Sequence, residues 1–402
     1  MILYIDPGTG SMLFAAILGV VSTIYFFVQK IIVTIKFSVF SRKDISDDSN
    51  KKDLILFSEG KQYWKVFKGI CEELEKNKFQ CEYWTMDRED PALKNDYNFV
   101  KCIFIGNGNK AFARLNTANA KRIISTTPGL DVYQWKKSPK VDEYIHIFHS
   151  IDEGVAYKMF GLDFYDTVFM VGDFQEHFIR KIEEIRNIEK KKLLVMGCTY
   201  MDELLKQKED IKISEKSDSK MCVLLAPSWG SESLLSKYGD KIIKKLISSD
   251  YRLIIRPHPQ SLKSEMDMIE GLMKKYPESD TVKWDMSPDN FNSLKESDVL
   301  ISDFSSVVFD FSFIFERPVV YAKIELDLSK YDACWLDEPV WRFEVLPKIG
   351  ISIEDDDVDK LEDEIAQIVK NKEFAEKRNE FKNQVWCNQG KSAELMAEYV
   401  MN

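Results

Sequence analysis

This 402-residue chain has no cysteine framework, no basic excess and no histidine cluster. Its seven cysteines, at 71, 81, 102, 198, 222, 334 and 387, include no Cys-x-x-Cys and no Cys/His pair at zinc spacing. That pattern excludes the common structural zinc frameworks, and the odd count points to reduced, mostly buried cytosolic thiols. Lys and Arg total 56 against 66 Asp and Glu, a net charge of −10. Without a basic excess to neutralise phosphates, the chain is not a general nucleic-acid binder. No isolated Asp-x-Asp stands at a strand end, so nothing calls for a divalent metal. The acidic run 354–357 with Asp359 reads instead as a solvated turn capping a helix over 361–369, since carboxylates favour helix N-termini. Internal repeats are also missing. What remains, 45% hydrophobic, 12% aromatic and 30% charged, suffices for two cores under a soluble surface, plus an appendage.

That appendage is the first 40 residues. No formal charge lies between Asp6 and Lys30, and 12–28 is almost wholly apolar. As a helix, at about 1.5 Å per residue, it approaches the thickness of a bilayer core. A secretory signal needs a basic segment before such a run and a cleavage site after it, and neither is present. Lys30, Lys36, Arg42 and Lys43 all follow, which places the N-terminus outside and the body in the cytoplasm, on a single-pass anchor in the cytoplasmic membrane. A buried or interfacial helix is the alternative. Asp6-Pro7-Gly8-Thr9-Gly10-Ser11 lacks a Lys-Ser/Thr ending and a preceding strand, so it reads as a helix cap, not a phosphate loop.

Beyond a polar linker over 41–52, apolar runs alternate with more polar, helix-length segments. Strands are expected at 54–57, 102–105, 122–125, 144–148, 167–171 and 193–196, then at 222–226, 252–255, 282–284, 299–302 and 319–322. This βα alternation implies parallel sheets flanked by helices. The charged stretch 208–220, centred on 213–219, reads as a hinge between domains over 53–212 and 220–372. Residues 373–402 read as one or two helices that cross back to the first domain.

Two motifs carry the chemistry: Arg256-Pro257-His258-Pro259, and Ile301-Ser302-Asp303-Phe304-Ser305-Ser306-Val307-Val308-Phe309-Asp310. Each closes a buried strand, where open α/β folds build ligand sites. The first supplies fixed positive charge and an imidazole; the second supplies hydroxyls and free N–H groups where a helix begins, running to about 315. Taken singly, the first reads better as a rigid strand exit, and Asp303 or Ser305 as an ordinary N-cap. Their order, about one βαβ unit apart, favours a phosphate or pyrophosphate site.

With Leu224-Leu225-Ala226-Pro227-Ser228-Trp229 and Glu316-Arg317-Pro318-Val319-Val320-Tyr321, these motifs make the C-terminal half resemble the CDP-glycerol glycerophosphotransferases of teichoic-acid and capsule synthesis. The resemblance implies a GT-B-like fold: two Rossmann-like domains across a cleft, the nucleotide donor held mainly by the second. It implies no cofactor, a CDP-polyol as substrate, and a glycan or lipid-linked acceptor at a membrane, with release of CMP. Arg256 and His258 would neutralise the pyrophosphate. Ser302, Ser305 and Ser306 would hold its oxygens, Asp303 or Asp310 would orient donor hydroxyls, and Ser228 would line the cleft.

Four histidines restrict the search for a base. His149 ends a strand before Asp152-Glu153-Gly154 and is the cleft candidate; His146 reads as a core residue, and His177 as a surface residue at a helix start. The family's acceptor motif is His-Gly, whereas His149 here is followed by Ser150, and the usual Trp before it is absent. Two alternatives therefore stay open: a nucleotide-sugar glycosyltransferase, and a non-catalytic membrane-tethered assembly subunit.

Overall fold

The computed structural model describes residues 51–210 and 220–402, apart from 325, together with residue 28. The anchor expected over 1–40 and the hinge over 213–219 lie outside the described residues. Among the described residues, no helix is long and apolar enough to cross a membrane.

Seven strands form the first sheet: β1 (Lys52–Ser58), β2 (Cys81–Thr85), β3 (Val100–Phe104), β4 (Ala120–Ser125), β5 (Val141–Ile147), β6 (Thr167–Met170) and β7 (Lys192–Val195). They lie in the order β3-β2-β1-β4-β5-β6-β7, all parallel. Six form the second: β8 (Cys222–Leu225), β9 (Arg252–Ile255), β10 (Val282–Trp284), β11 (Val299–Ser302), β12 (Val319–Ala322) and β13 (Gly350–Ile353). Their order is β10-β9-β8-β11-β12-β13, again parallel throughout.

Helices cover the faces of each sheet, which is why strands such as Cys222–Leu225, Val299–Ser302 and Val319–Ala322 are buried along their whole length. Alternate residues feed different cores. In β8, Val223 and Leu225 enter the outer core of the second domain, while Cys222 and Leu224 join a cluster that continues into the first domain through Phe57, Tyr144 and Met170. The two domains thus share one apolar cluster. The last helix, Ser392–Met401, lies on the first domain, with Met396, Ala397 and Val400 packed beside Phe67 and Ile70 of the helix Trp64–Lys76. The Arg122 guanidinium clamps its end by donating to the Val400 carbonyl at 2.7 Å.

A seam of backbone bonds also joins the domains. The Asp332 and Ala333 N–H groups donate to the carbonyls of Tyr157 and Val155, each at 2.9 Å. Lys158 and Tyr331 form an antiparallel bridge.

Candidate active site

Strand order reverses twice, between β1 and β4 and between β8 and β11, and ligands of open α/β sheets bind outside the carboxyl ends at such points. The first reversal puts Glu59, Thr126 and Thr127 side by side, with His149 just beyond neighbouring β5. The second puts Ser228 beside 302–306, with Arg256 and His258 beyond β9.

Within the second domain Asp303 is a buried brace. Its carboxylate accepts from the Ser228 N–H (2.9 Å), the Ser228 hydroxyl (2.8 Å), the Leu234 N–H (2.9 Å) and the Ser305 N–H (3.1 Å). Burial raises its pKa, and the donors oppose the rise. Asp303 and Ser228 are therefore hydrogen-bonded to each other. The buried Ser302 hydroxyl is likewise committed, donating to the Ala226 carbonyl at 2.7 Å. Ser305 and Ser306, half-buried at the mouth of the loop, are the hydroxyl pair left beside the cleft. The turn after Ser228 requires Gly230: its φ is 95°, a left-handed value that a side chain strains, and it leaves Trp229 exposed.

Arg256, expected on the pyrophosphate, is buried and engaged elsewhere. Its guanidinium donates to Asp285 at 2.6 Å, to the Ser287 hydroxyl at 3.3 Å and to the Ser287 carbonyl at 2.8 Å. Burial works against the Asp285 carboxylate, but donors from Ser287 and Ser293, then Arg256, outweigh it and hold its pKa at about 2. Arg256 therefore stiffens the loop that carries His258.

Asp310 lies at the seam between the two domains. The helix after Ser306 begins as Val307–Phe309 and continues as a π turn over Asp310–Ile314, a form often met at functional positions. That turn buries Asp310 against the first domain, where it accepts from the Tyr200 hydroxyl at 2.9 Å, with the Asn290 amide at 3.4 Å. Burial pushes its carboxyl up to about 7.

The histidines separate by environment. His146 is buried, its Nε2 at 3.1 Å from the Tyr157 hydroxyl, and burial pushes its pKa down to about 3. His177 is exposed and meets Glu338 at 2.8 Å. His149 and His258 are half-buried and close enough across the cleft to interact electrostatically. Burial, then His149, then Arg256 lower His258 to about 4. Burial also lowers His149, with Asp152 opposing, so both imidazoles are neutral at pH 7. The His258 Nδ1 accepts from the Gln260 N–H at 3.1 Å, which fixes that ring. His149 stacks edge-on against Tyr63, centroids 5.3 Å apart.

Residues 38–402 match the family described as CDP-Glycerol:Poly(glycerophosphate) glycerophosphotransferase. The chain belongs to this family. Its activity is glycerophosphate transfer from CDP-glycerol. Over 315 residues the chain is 24% identical to the teichoic acid poly(glycerol phosphate) polymerase of Bacillus spizizenii, covering 67% of this chain and 73% of that one. The solved wall teichoic acid polymerase TagF superposes with a TM-score of 0.58 at 18% identity, over 93% of this chain and 95% of that one. UDP-GlcNAc 2-epimerase from Neisseria meningitidis gives 0.58 at 12% identity, over 87% and 99%. These structures share the GT-B-like fold.

This glycerophosphotransferase carries cleft residues that the motifs did not reveal. Glu59 is half-buried at the end of β1; burial raises its pKa, while Lys263 of the second domain and Thr127 oppose. Burial, then Glu59, pushes the Tyr63 hydroxyl up to about 12. The signal for Glu59 was a carboxylate two residues past a buried apolar run, Leu54 to Phe57, but its importance depends on β4 lying next to β1. Among the described residues, no group of three or more His, Cys, Asp or Glu side chains is placed to hold a metal ion.

Proposed function

We propose that this enzyme extends or primes a glycerol-phosphate chain on a glycan or lipid-linked acceptor, with His149 as general base. The observation carrying this reading is the pair of neutral imidazoles, His149 and His258, on opposite walls of the cleft between the two strand-order reversals. The acceptor hydroxyl gives its proton to His149, and its oxygen attacks the glycerol-bearing phosphorus. A new P–O ester bond forms as the pyrophosphate bond to CMP breaks, and CMP leaves with the electron pair. Such transfer depends on in-line positioning and charge stabilisation. On the donor side, His258, Ser305 and Ser306 hold the phosphates, and exposed Lys263 supplies the positive charge that Arg256 does not. Glu59 and Thr127 bind the acceptor hydroxyls. CDP-glycerol enters as substrate, and no cofactor belongs to this reading.

The residues before 41 serve as a single-pass anchor that keeps the body in the cytoplasm beside a membrane-bound acceptor. Purified protein should release CMP from CDP-glycerol in the presence of a short oligo(glycerol phosphate), and deletion of 1–40 should free it from sedimented membranes. Turnover of UDP-sugars instead would favour the glycosyltransferase alternative, and no turnover of either would favour an assembly subunit.

A further inference from the structure

One side chain fastens the loop after His149 to the loop that bears Ser305 and Ser306. In the first domain the Asp152 carboxylate accepts from the Gly154 N–H at 2.7 Å, and Gly154 has a φ of 84°. A Cβ at Gly154 would press on Phe148 at 3.3 Å, so this tight turn is specific to glycine. The turn buries Glu153 completely.

Glu153 meets Arg342, from the second-domain helix Trp341–Ile349. The Arg342 Nε lies 2.9 and 3.2 Å from the two Glu153 oxygens, and Nη2 donates to Asp152 at 2.6 Å. Its Nη1 donates to the Phe304 carbonyl at 3.0 Å, between the brace Asp303 and the cleft hydroxyl Ser305. The helix start is itself fixed: Trp341 packs against Phe174 of the first domain at 4.3 Å and Phe309 of the second at 5.2 Å. A planar fork with donors on three sides is the group suited to holding two carboxylates and a carbonyl in fixed relation.

We propose that Arg342 is a positioning residue for the transfer step, setting the His149 loop of one domain in register with the Ser305–Ser306 loop of the other. This inference rests on the function proposed above. It assigns Arg342 no contact with substrate: the guanidinium fixes where the base stands relative to the donor phosphorus, and the bonds made and broken are those already described.

Arg186 provides the structural comparison. It too is a buried arginine bridging the domains, paired with Asp163 at 2.6 Å and with Asp332, but it touches neither site loop. CMP release from CDP-glycerol with an oligo(glycerol phosphate) acceptor should be measured alongside thermal midpoints for Arg342→Met, Arg342→Lys, Glu153→Gln and Arg186→Met. Arg342→Met should lower kcat about 10²-fold, the scale of a misplacement near 1 Å, with donor KM changed less than about threefold. Arg342→Lys, which keeps the charge but not the fork, should recover part of that loss. Arg186→Met should lower the midpoint comparably while kcat stays within about threefold. If Arg342→Met does not fold, Arg342→Lys and Glu153→Gln carry the test, each with a kcat loss larger than that of Arg186→Met at equal midpoint. Loss of kcat that merely tracks the midpoint across both arginines, or loss confined to donor KM, would overturn the positioning role. An inactive native enzyme would instead overturn the proposed function, and this inference with it.

Discussion

Arg256 and Asp285 stand 2.6 Å apart with both side chains buried, so the arginine of the Arg-Pro-His-Pro motif is neutralised within its own domain. Removing one partner of a buried pair strands the other charge. Arg256→Ala should therefore destabilise the protein by about 3–5 kcal/mol, read as a lower urea midpoint. An unchanged midpoint together with lost CDP-glycerol affinity would instead put this side chain on the donor.

Asp303 joins three chain segments through four hydrogen bonds, so its replacement should first be felt in stability. Asp303→Ala leaves the Ser228 and Leu234 N–H groups without their carboxylate, and hydrogen bonds to charged groups contribute about 1.5–3 kcal/mol each. Chemical unfolding should show a loss of at least that size. Hydrogen exchange should rise at Ser228 and Leu234; unaltered exchange there would remove the brace assignment.

His149→Ala should retain CDP-glycerol binding by calorimetry while transfer falls about 10²–10⁴-fold, the range for losing a general base. Because burial lowers the folded pKa of His149 below 6.5, the neutral, proton-accepting form persists to more acid pH than for a free imidazole. The acid limb of kcat/KM should accordingly lie below pH 6.5. An acid limb above 6.5, or normal turnover by His149→Ala, would require another base.

His146 should report on stability alone. Its folded pKa of about 3 lies below the ordinary 6.5, so the fold disfavours the imidazolium. The contribution is fully present above pH 6.5 and is lost as pH falls towards about 3. Asp310 and Glu153, raised to about 7, act in the opposite sense: their contribution is present below the ordinary carboxyl range and is lost as pH rises through about 7. These cancel when His146→Phe is compared with the native protein. The stability difference between the two should change with acidification between pH 6.5 and 4, the variant losing less; parallel curves would contradict the buried neutral imidazole.

Much of the fold could be read locally. The strands at 252–255, 282–284, 299–302 and 319–322 coincide with β9, β10, β11 and β12: the inner strands β11 and β12 are buried throughout because both faces of a parallel sheet are covered, while the edge strand β10 buries Val282 and Trp284 and exposes Lys283 between them. Cys81–Thr85 and Gly350–Ile353 escaped that reading. The first carries Glu82 and the second begins with a glycine, so neither stands out as an apolar run; each is a strand because its neighbours supply hydrogen-bond partners.

Local order thus determined the βα alternation, the strand ends that bear the motifs, and the family to which those motifs belong, since periodicity and short motifs are properties of adjacent residues. Tertiary structure alone decided which partners the motif side chains meet. Arg256 is occupied by a carboxylate 29 positions away and Ser228 by one 75 away, while Asp310 turns to Tyr200 in the other domain. Such pairings form only when strand order brings distant segments together, and in a buried site a charge is held by whichever partner the fold places beside it. The same order set Glu59 beside Thr127, with His149 beyond the next strand, on a wall of the cleft that no single stretch of sequence displays.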